Sequence, residues 1–318
     1  MHSNHKSTIR VPWLRSAGSA AVAAAMLAVA AGAADAKTFK EMFPGVEIKN
    51  EKARQLLEPM NFQQGQVKVG AGGVTLDVPP KYYFLGPTEA RQVLVNVWGN
   101  PPANAGGVLG MILPSTKMPI DDTWGAIVRF DADGYVSDEE AQQINYTDLL
   151  KSMQEDIANS SEERVKAGYG SIKLIGWASP PYYDAQAKKL HWAKELEFDG
   201  KANDHTLNYD VRALGRGGVL KINFVAGMDE LPVIRALIPD VIEMTQFEQG
   251  ARYSDYVPGV DKVAAYGIGG LIAGKLLAKA GILAGALLLL KKLGVFLVIG
   301  AAAAIRALAG MFRRKGPE

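Results

Sequence analysis

Residues 170–225 read GSIKLIGWASPPYYDAQAKKLHWAKELEFDGKANDHTLNYDVRALGRGGVLKINFV, and the folding of this stretch decides the architecture of the chain. Apolar side chains recur at alternate positions: Leu190, Trp192, Leu196 and Phe198 in one run, Leu207, Tyr209, Val211 and Ala213 in the next. A period of two places successive side chains on opposite faces of an extended backbone, so each run specifies a strand. Four strands with three connections follow, and LGRGG (214–218) joins the last two tightly. Half-buried alternation of this kind predicts an antiparallel sheet covered on one side.

Upstream, QVKVGAGGVTLDVPP (66–80) reads as two short strands around a glycine-rich turn, with Val74, Leu76 and Val78 on one face. A short helical pattern covers Lys52 to Leu57 and ends at Pro59. GPTEARQVLVNVWGN (86–100) places Pro87 at a helix start and Gly99 at its stop. GGVLGMILP (106–114) and WGAIVRF (124–130) are apolar runs of strand length. Ser137 and Glu140 have capping-box spacing, followed by a helical stripe of Leu149, Leu150, Met153 and Ile157. Downstream, Leu231 to Phe247 reads as helical, with Pro232 in the first turn and Pro239 as a kink or restart. The fold class is therefore α+β: one mostly antiparallel sheet with flanking helices, over residues 37–258.

Both ends are set apart by composition. Lys6, Arg10 and Arg15 precede an alanine-rich apolar stretch and an Ala34-Asp35-Ala36 cleavage pattern, so residues 1–36 read as a secretory signal. Residues 259–318 read as a C-terminal transmembrane region. In AGALLLLKKLGVFLVIGAAAAIRALAGMFRRK (284–315), Lys291 and Lys292 exclude a single span centred on them, because each charge at mid-bilayer costs roughly 2.5–3.5 kcal/mol. Two arrangements remain. One is a single span at about 293–312; the other is a hairpin of 264–290 and 293–312. The positive-inside rule favours the first, with Arg313, Arg314 and Lys315 on the cytoplasmic side.

Charge is segregated in the same way. Residues 37–260 hold 23 Lys and Arg against 30 Asp and Glu, whereas residues 261–318 hold 9 against 2. A basic, apolar tail beside a mildly acidic domain fits a membrane surface and excludes nucleic acid, which needs a basic stripe on the folded domain. The chain has no cysteine, which removes thiol catalysis, disulfides and cysteine metal sites together.

No motif converges on a reaction. Gly215-Arg216-Gly217-Gly218 lacks the P-loop Lys-Ser/Thr and precedes a strand, so it reads as a turn. Asp131, Asp133, Gly134, Ser137 and Glu140 match calcium-loop positions, but Arg129 stands where the first carboxylate belongs. His191 is out of phase with the Trp192 face while His205 is in phase with Leu207, which predicts opposite sides of the sheet and no zinc pair. No catalytic, cofactor or metal residue is assigned. The unusual residues are aromatic: Trp177, Tyr182 and Tyr183, then Tyr253, Tyr256 and Tyr266, among prolines, glycines and charges such as Arg252. Trp177, Tyr182, Tyr183, Arg252, Tyr253 and Tyr256 are the candidate contacts with a partner or membrane. Gly267, Gly270 and Gly274 are candidates for close helix packing.

Four motifs resemble one family: LDVPPKYYFL (76–85), GWASPPYYD (176–184), LNYDVRALGRGGVL (207–220) and RYSDYVPGVDKVAAYGIGGLIAG (252–274). They are similar to a group of predicted membrane-anchored bacterial proteins catalogued as a domain of unknown function. The resemblance runs from about Phe62 to Gly274 and implies a bacterial envelope protein, with no reaction or cofactor attached. The expected role is a non-enzymatic periplasmic binding or scaffolding module at the inner membrane. Its partners are the lipid bilayer and another envelope protein. The rival roles are an envelope enzyme using carboxylates such as Asp184 or Glu195, and an accessory subunit of a membrane complex.

Overall fold

The computed structural model describes residues 35–273. Eleven strands form a single sheet: β1 Asp35–Lys37, β2 Phe62–Lys68, β3 Val74–Val78, β4 Tyr82–Leu85, β5 Val108–Pro114, β6 Gly125–Asp131, β7 Ile172–Asp184, β8 Lys189–Phe198, β9 His205–Leu214, β10 Val219–Gly227 and β11 Thr245–Phe247. Their order is β11-β3-β2-β4-β5-β6-β10-β9-β8-β7, with β1 added on β2, and every neighbouring pair is antiparallel. Six α-helices accompany it among the described residues: α1 Phe39–Met42, α2 Glu51–Leu57, α3 Pro87–Gln92, α4 Tyr146–Lys166, α5 Leu231–Glu243 and α6 Ile268–Ala273.

Alternation and turn chemistry produce the elements that they predict. Val74, Leu76 and Val78 are buried along β3. Pro87 opens α3, which passes into a π turn at Val93–Val97 before Gly99 stops it at φ +67°. The expected cleavage point after Ala36 falls inside β1, where Ala36 pairs with Gln63.

The expectation of one covered face is corrected by the register. Trp192 lies opposite Asp210, not opposite Tyr209 or Val211, so the two apolar runs point to different faces. One face packs Leu207, Tyr209, Val211, Ile222 and Phe224 under Ile234, Ile238 and Val241 of α5. The other buries Leu190, Trp192 and Leu196 with Met153 of α4 and with Ile268, Leu271 and Ile272 of α6. On that second face a separate cluster, built around Phe39, Phe62, Tyr83 and Val93, reaches Ile127 and Val225.

Three boundaries also differ from expectation. Helix α4 starts at Tyr146, because Asn145 caps it by accepting from the backbone N–H groups of Thr147 (3.0 Å) and Asp148 (3.3 Å). Glu140 instead accepts from the N–H of Gly269 at 3.1 Å, which ties α6 to the 133–145 segment. Helix α5 runs on through Pro239 but ends at Glu243. Thr245 to Phe247 leave the helix and pair with Leu76 to Val74, which covers the edge of β3. Strand β7 runs through GWASPPYYD to Asp184 as the last strand of the sheet, where register shifts between Leu174 and Tyr182 accommodate the two prolines.

Among the described residues no helix is long and apolar enough to cross a membrane. The expected span at 293–312, most of the segment 264–290 and Gly274 lie outside the described residues. The described start of that segment belongs to the domain: Ala264 donates its N–H to the carbonyl of Tyr135 at 2.8 Å, and Ile268 and Ile272 are buried.

Candidate functional site

The two apolar clusters on the second face leave a polar strip between them. Its first row is set by register: Arg129 on β6 lies opposite Lys221 on β10, and Lys221 lies opposite Arg212 on β9. Three like charges in adjacent cross-strand positions repel one another. Burial, followed by Arg212, lowers the Lys221 ammonium from its usual range, while Asp131 only partly restores it. Arg129 is lowered in the same way, by burial first and then by Arg212.

The second row begins to compensate. Asp210 on β9 is 2 % exposed, and its Oδ1 accepts from Arg212 Nη2 at 2.8 Å and from Asn223 Nδ2 at 3.1 Å. Lys194 Nζ lies 3.1 Å from its Oδ2, off the line of a good hydrogen bond. Burial pushes this carboxyl up, but Lys194 and Arg212 outweigh that and hold it below the ordinary carboxylate range. Lys221 pairs with Asp131 at 3.2 Å, and the Arg212 guanidinium lies 4.8 Å from the centre of the Trp192 ring.

Above the strip is a cavity of about 500 Å³. Its sheet wall presents Lys194, Arg212, Lys221 and Asp131 beside Trp192. Met153, Asp156 and Ile157 of α4 face them, and Gly270 to Ala273 with Tyr266 close the remaining side. Trp192 is 1 % exposed, and its indole N–H has no partner among the described residues. Buried indole donors ordinarily have one.

The aromatic candidates lie elsewhere and mostly hold the domain together. Trp177 donates its indole N–H to the carbonyl of Tyr146 at 3.3 Å. The Tyr183 hydroxyl donates to Asp138 at 2.6 Å, and Lys188 pairs with the same carboxylate at 2.8 Å. Tyr253 is buried and reaches the carbonyl of Val136 at 2.9 Å. Tyr135 stacks against both Tyr253 and Tyr256, at 4.4 and 3.8 Å between ring centres. Arg252 uses its backbone N–H, which donates to Asp255 at 3.0 Å. Among the aromatic candidates Tyr182 alone is widely exposed, at 63 %, with its ring edge-on to His191, and the Arg252 side chain is exposed as well. Gly267 and Gly270 face Glu140 and Tyr266 of the same domain, where an added Cβ would come 2.5 and 2.7 Å from them.

The expected opposition of the two histidines is overturned by register. His191 pairs with Val211 and His205 with Glu197, which puts both on the α5 face. They are still far apart, six residues along β8 or about 20 Å. His205 Nδ1 lies 2.6 Å from Glu195, and that bond raises the imidazole above its usual value. Asp184 caps a turn through the N–H groups of Gln186 and Ala187, both at 2.9 Å. It is about 20 Å from Glu195 by strand count, far beyond the separation of a carboxylate pair that shares one bond. The carboxylates of the calcium-like segment have other engagements: Asp131 with Lys221, Asp133 with the Tyr266 hydroxyl, and Asp138 with Tyr183 and Lys188. Gly215 to Gly218 form the β9–β10 turn, and Arg216 is held by both oxygens of Asp261 at 2.8 Å.

Sequence reasoning missed the polar strip. Its signal was available in the even positions Asn208, Asp210 and Arg212 of β9, which read as a solvent face while the register was unknown.

No curated protein matches this sequence. Among solved structures, the chain is similar to cyanobacterial PsbP (CyanoP) from Synechocystis sp. PCC 6803, with 13% identity and a TM-score of 0.33 over 57% of this chain and 91% of that one. It is also similar to the Saccharomyces cerevisiae Ran-binding protein Mog1p, with 9% identity and a TM-score of 0.31 over 62% of this chain and 100% of that one. A family model matches residues 61–302, and the chain therefore belongs to the family described as "Protein of unknown function (DUF2167)".

Proposed function

We propose that this protein is a non-enzymatic binding module of the bacterial envelope that takes an anionic ligand in the cavity over the polar strip. One observation carries the reading: Arg129, Lys221 and Arg212 stand in a continuous cross-strand row, and two of them line a cavity of about 500 Å³. A row of repelling cations costs stability and is relieved when an anion settles on it. The chain is exported, tethered to the inner membrane by its C-terminal region, and faces the periplasm with its sheet domain. Supporting this are the signal-like residues 1–36 and the basic apolar tail beyond 273. Partners are the bilayer and another envelope protein, for which exposed Tyr182 is the contact best placed among the aromatic candidates.

Calorimetric titration of the full chain, held in a maltoside detergent, tests the binding reading with a panel of small anions at fixed ionic strength. Saturable binding to at least one of them is expected. Heat that only follows ionic strength, with no saturation for any anion, contradicts it.

A further inference from the structure

The binding reading leaves the chemical class of the ligand open, and the cavity walls narrow it. Lys194, Arg212 and Lys221 come from the consecutive strands β8, β9 and β10. Lys194 stands opposite Asn208, four residues along β9 from Arg212, but its ammonium and the Arg212 guanidinium both reach Asp210, at 3.1 and 2.8 Å. Lys221 lies opposite Arg212 and pairs with Asp131 at 3.2 Å. The three cations share two carboxylates there, which leaves positive charge over for one compact anion. Arg212 already donates through both terminal nitrogens, to the carbonyl of Val211 at 3.1 Å and to Asp210 at 2.8 Å. Three of its five N–H donors remain, and the two lysines beside it add point charges that suit a phosphate.

The opposite wall adds a second requirement. Asp156 projects from α4 between Met153 and Ile157 and lines the cavity. A carboxylate there repels a bare oxyanion and accepts from a hydroxyl or ammonium group. The third wall, Leu271 to Ala273, ends where the sequence enters the apolar tail. A membrane-derived ligand therefore has the shortest route in, although a soluble ester has the same chemistry.

We propose that the cavity binds a phosphate ester carrying an adjacent hydroxyl or ammonium group, with the phosphate on Lys194, Arg212 and Lys221 and the adjacent group on Asp156. This rests on the binding-module reading above.

The test is calorimetric titration of the full chain in maltoside detergent with phosphoethanolamine, glycerol 3-phosphate, inorganic phosphate and succinate. We expect both esters to bind more tightly than inorganic phosphate, and succinate not to saturate. Lys221→Met should weaken the esters about tenfold or more. Lys194→Met is the second variant, used if circular dichroism shows the first to be unfolded. Asp156→Asn should reduce the advantage of the esters over inorganic phosphate. A repeat in nanodiscs containing phosphatidylethanolamine separates the sources: loss of phosphoethanolamine binding there identifies a lipid headgroup, and retained binding identifies a soluble ester. Succinate binding as tightly as the esters overturns the phosphate class and leaves the binding module standing. Equal ester affinity in wild type and folded lysine variants overturns the site, and no saturable binding to any anion overturns both readings.

Discussion

Replacing Asp210 by alanine would leave Lys194 and Arg212 facing each other across a space that its carboxylate now fills. Breaking a buried ion pair from one side costs about 3–5 kcal/mol, and we expect a loss of that order in urea unfolding of Asp210→Ala. The same carboxyl shapes the acid limb of stability. Asp210 and Asp138 are both held below the ordinary carboxylate value in the folded chain, against the upward push of burial. Their contribution is therefore present in full above the unfolded value of about 3.9 and is lost as pH falls through the lower folded values. His205 acts with the opposite sign: its value is raised, chiefly by Glu195, so its contribution is full below about 6.5 and fades as pH rises through the folded value. Urea midpoints between pH 3 and 9 should fall at both ends, with the acid fall blunted in Asp210→Ala and the alkaline one in Glu195→Gln. Composition and alternation made Asp210 and Arg212 visible in the sequence. Their opposition to Asn223, Lys221 and Trp192 was not, because a register is fixed by contacts between strands and a slip of one residue exchanges the two faces.

The β2–β3 and β8–β9 hairpins were legible because their turns hold glycine at positive φ (Gly70, Gly72 and Gly73; Gly200) and their strands alternate, and both signals are local. Gly110 shows how closely β4 and β5 then pack: an added Cβ would overlap the Phe84 ring and come 2.5 Å from the carbonyl oxygen of Leu85. Gly110→Ala should therefore destabilise by about 1–3 kcal/mol, read from its urea midpoint. Helix starts were harder to place. Ser137 and Glu140 have the spacing of a capping box, yet Glu140 serves Gly269, 129 positions away in sequence, and Asn145 caps α4. Asn145→Ala should cost about 1 kcal/mol, whereas Ser137→Ala should change the urea midpoint little. Strand β11 was missed for a related reason. Three residues are too few to show a period, and only the open edge of β3 makes them a strand.

For the molecule as a whole, the α+β class and the antiparallel sheet follow from local pattern, while its two-sided burial does not. A strand with one apolar and one charged face looks half solvated until α4 and α6 are folded over the charged side. The tail has its own test. With one span and the domain outside, a reporter active only outside the cytoplasm should be active when fused after Gly259 and silent when fused after Lys315; activity at both points would mean a hairpin. The cation row ties stability to binding, and that tie gives the most direct measurement. Thermal unfolding of the full chain and of Lys221→Met, each with and without saturating phosphoethanolamine, reads both properties at once. We expect the variant, in which Asp131 loses its Lys221 partner, to lose the ligand-induced rise whatever its own midpoint. A folded variant that keeps the full rise would contradict the assignment of the strip as an anion seat.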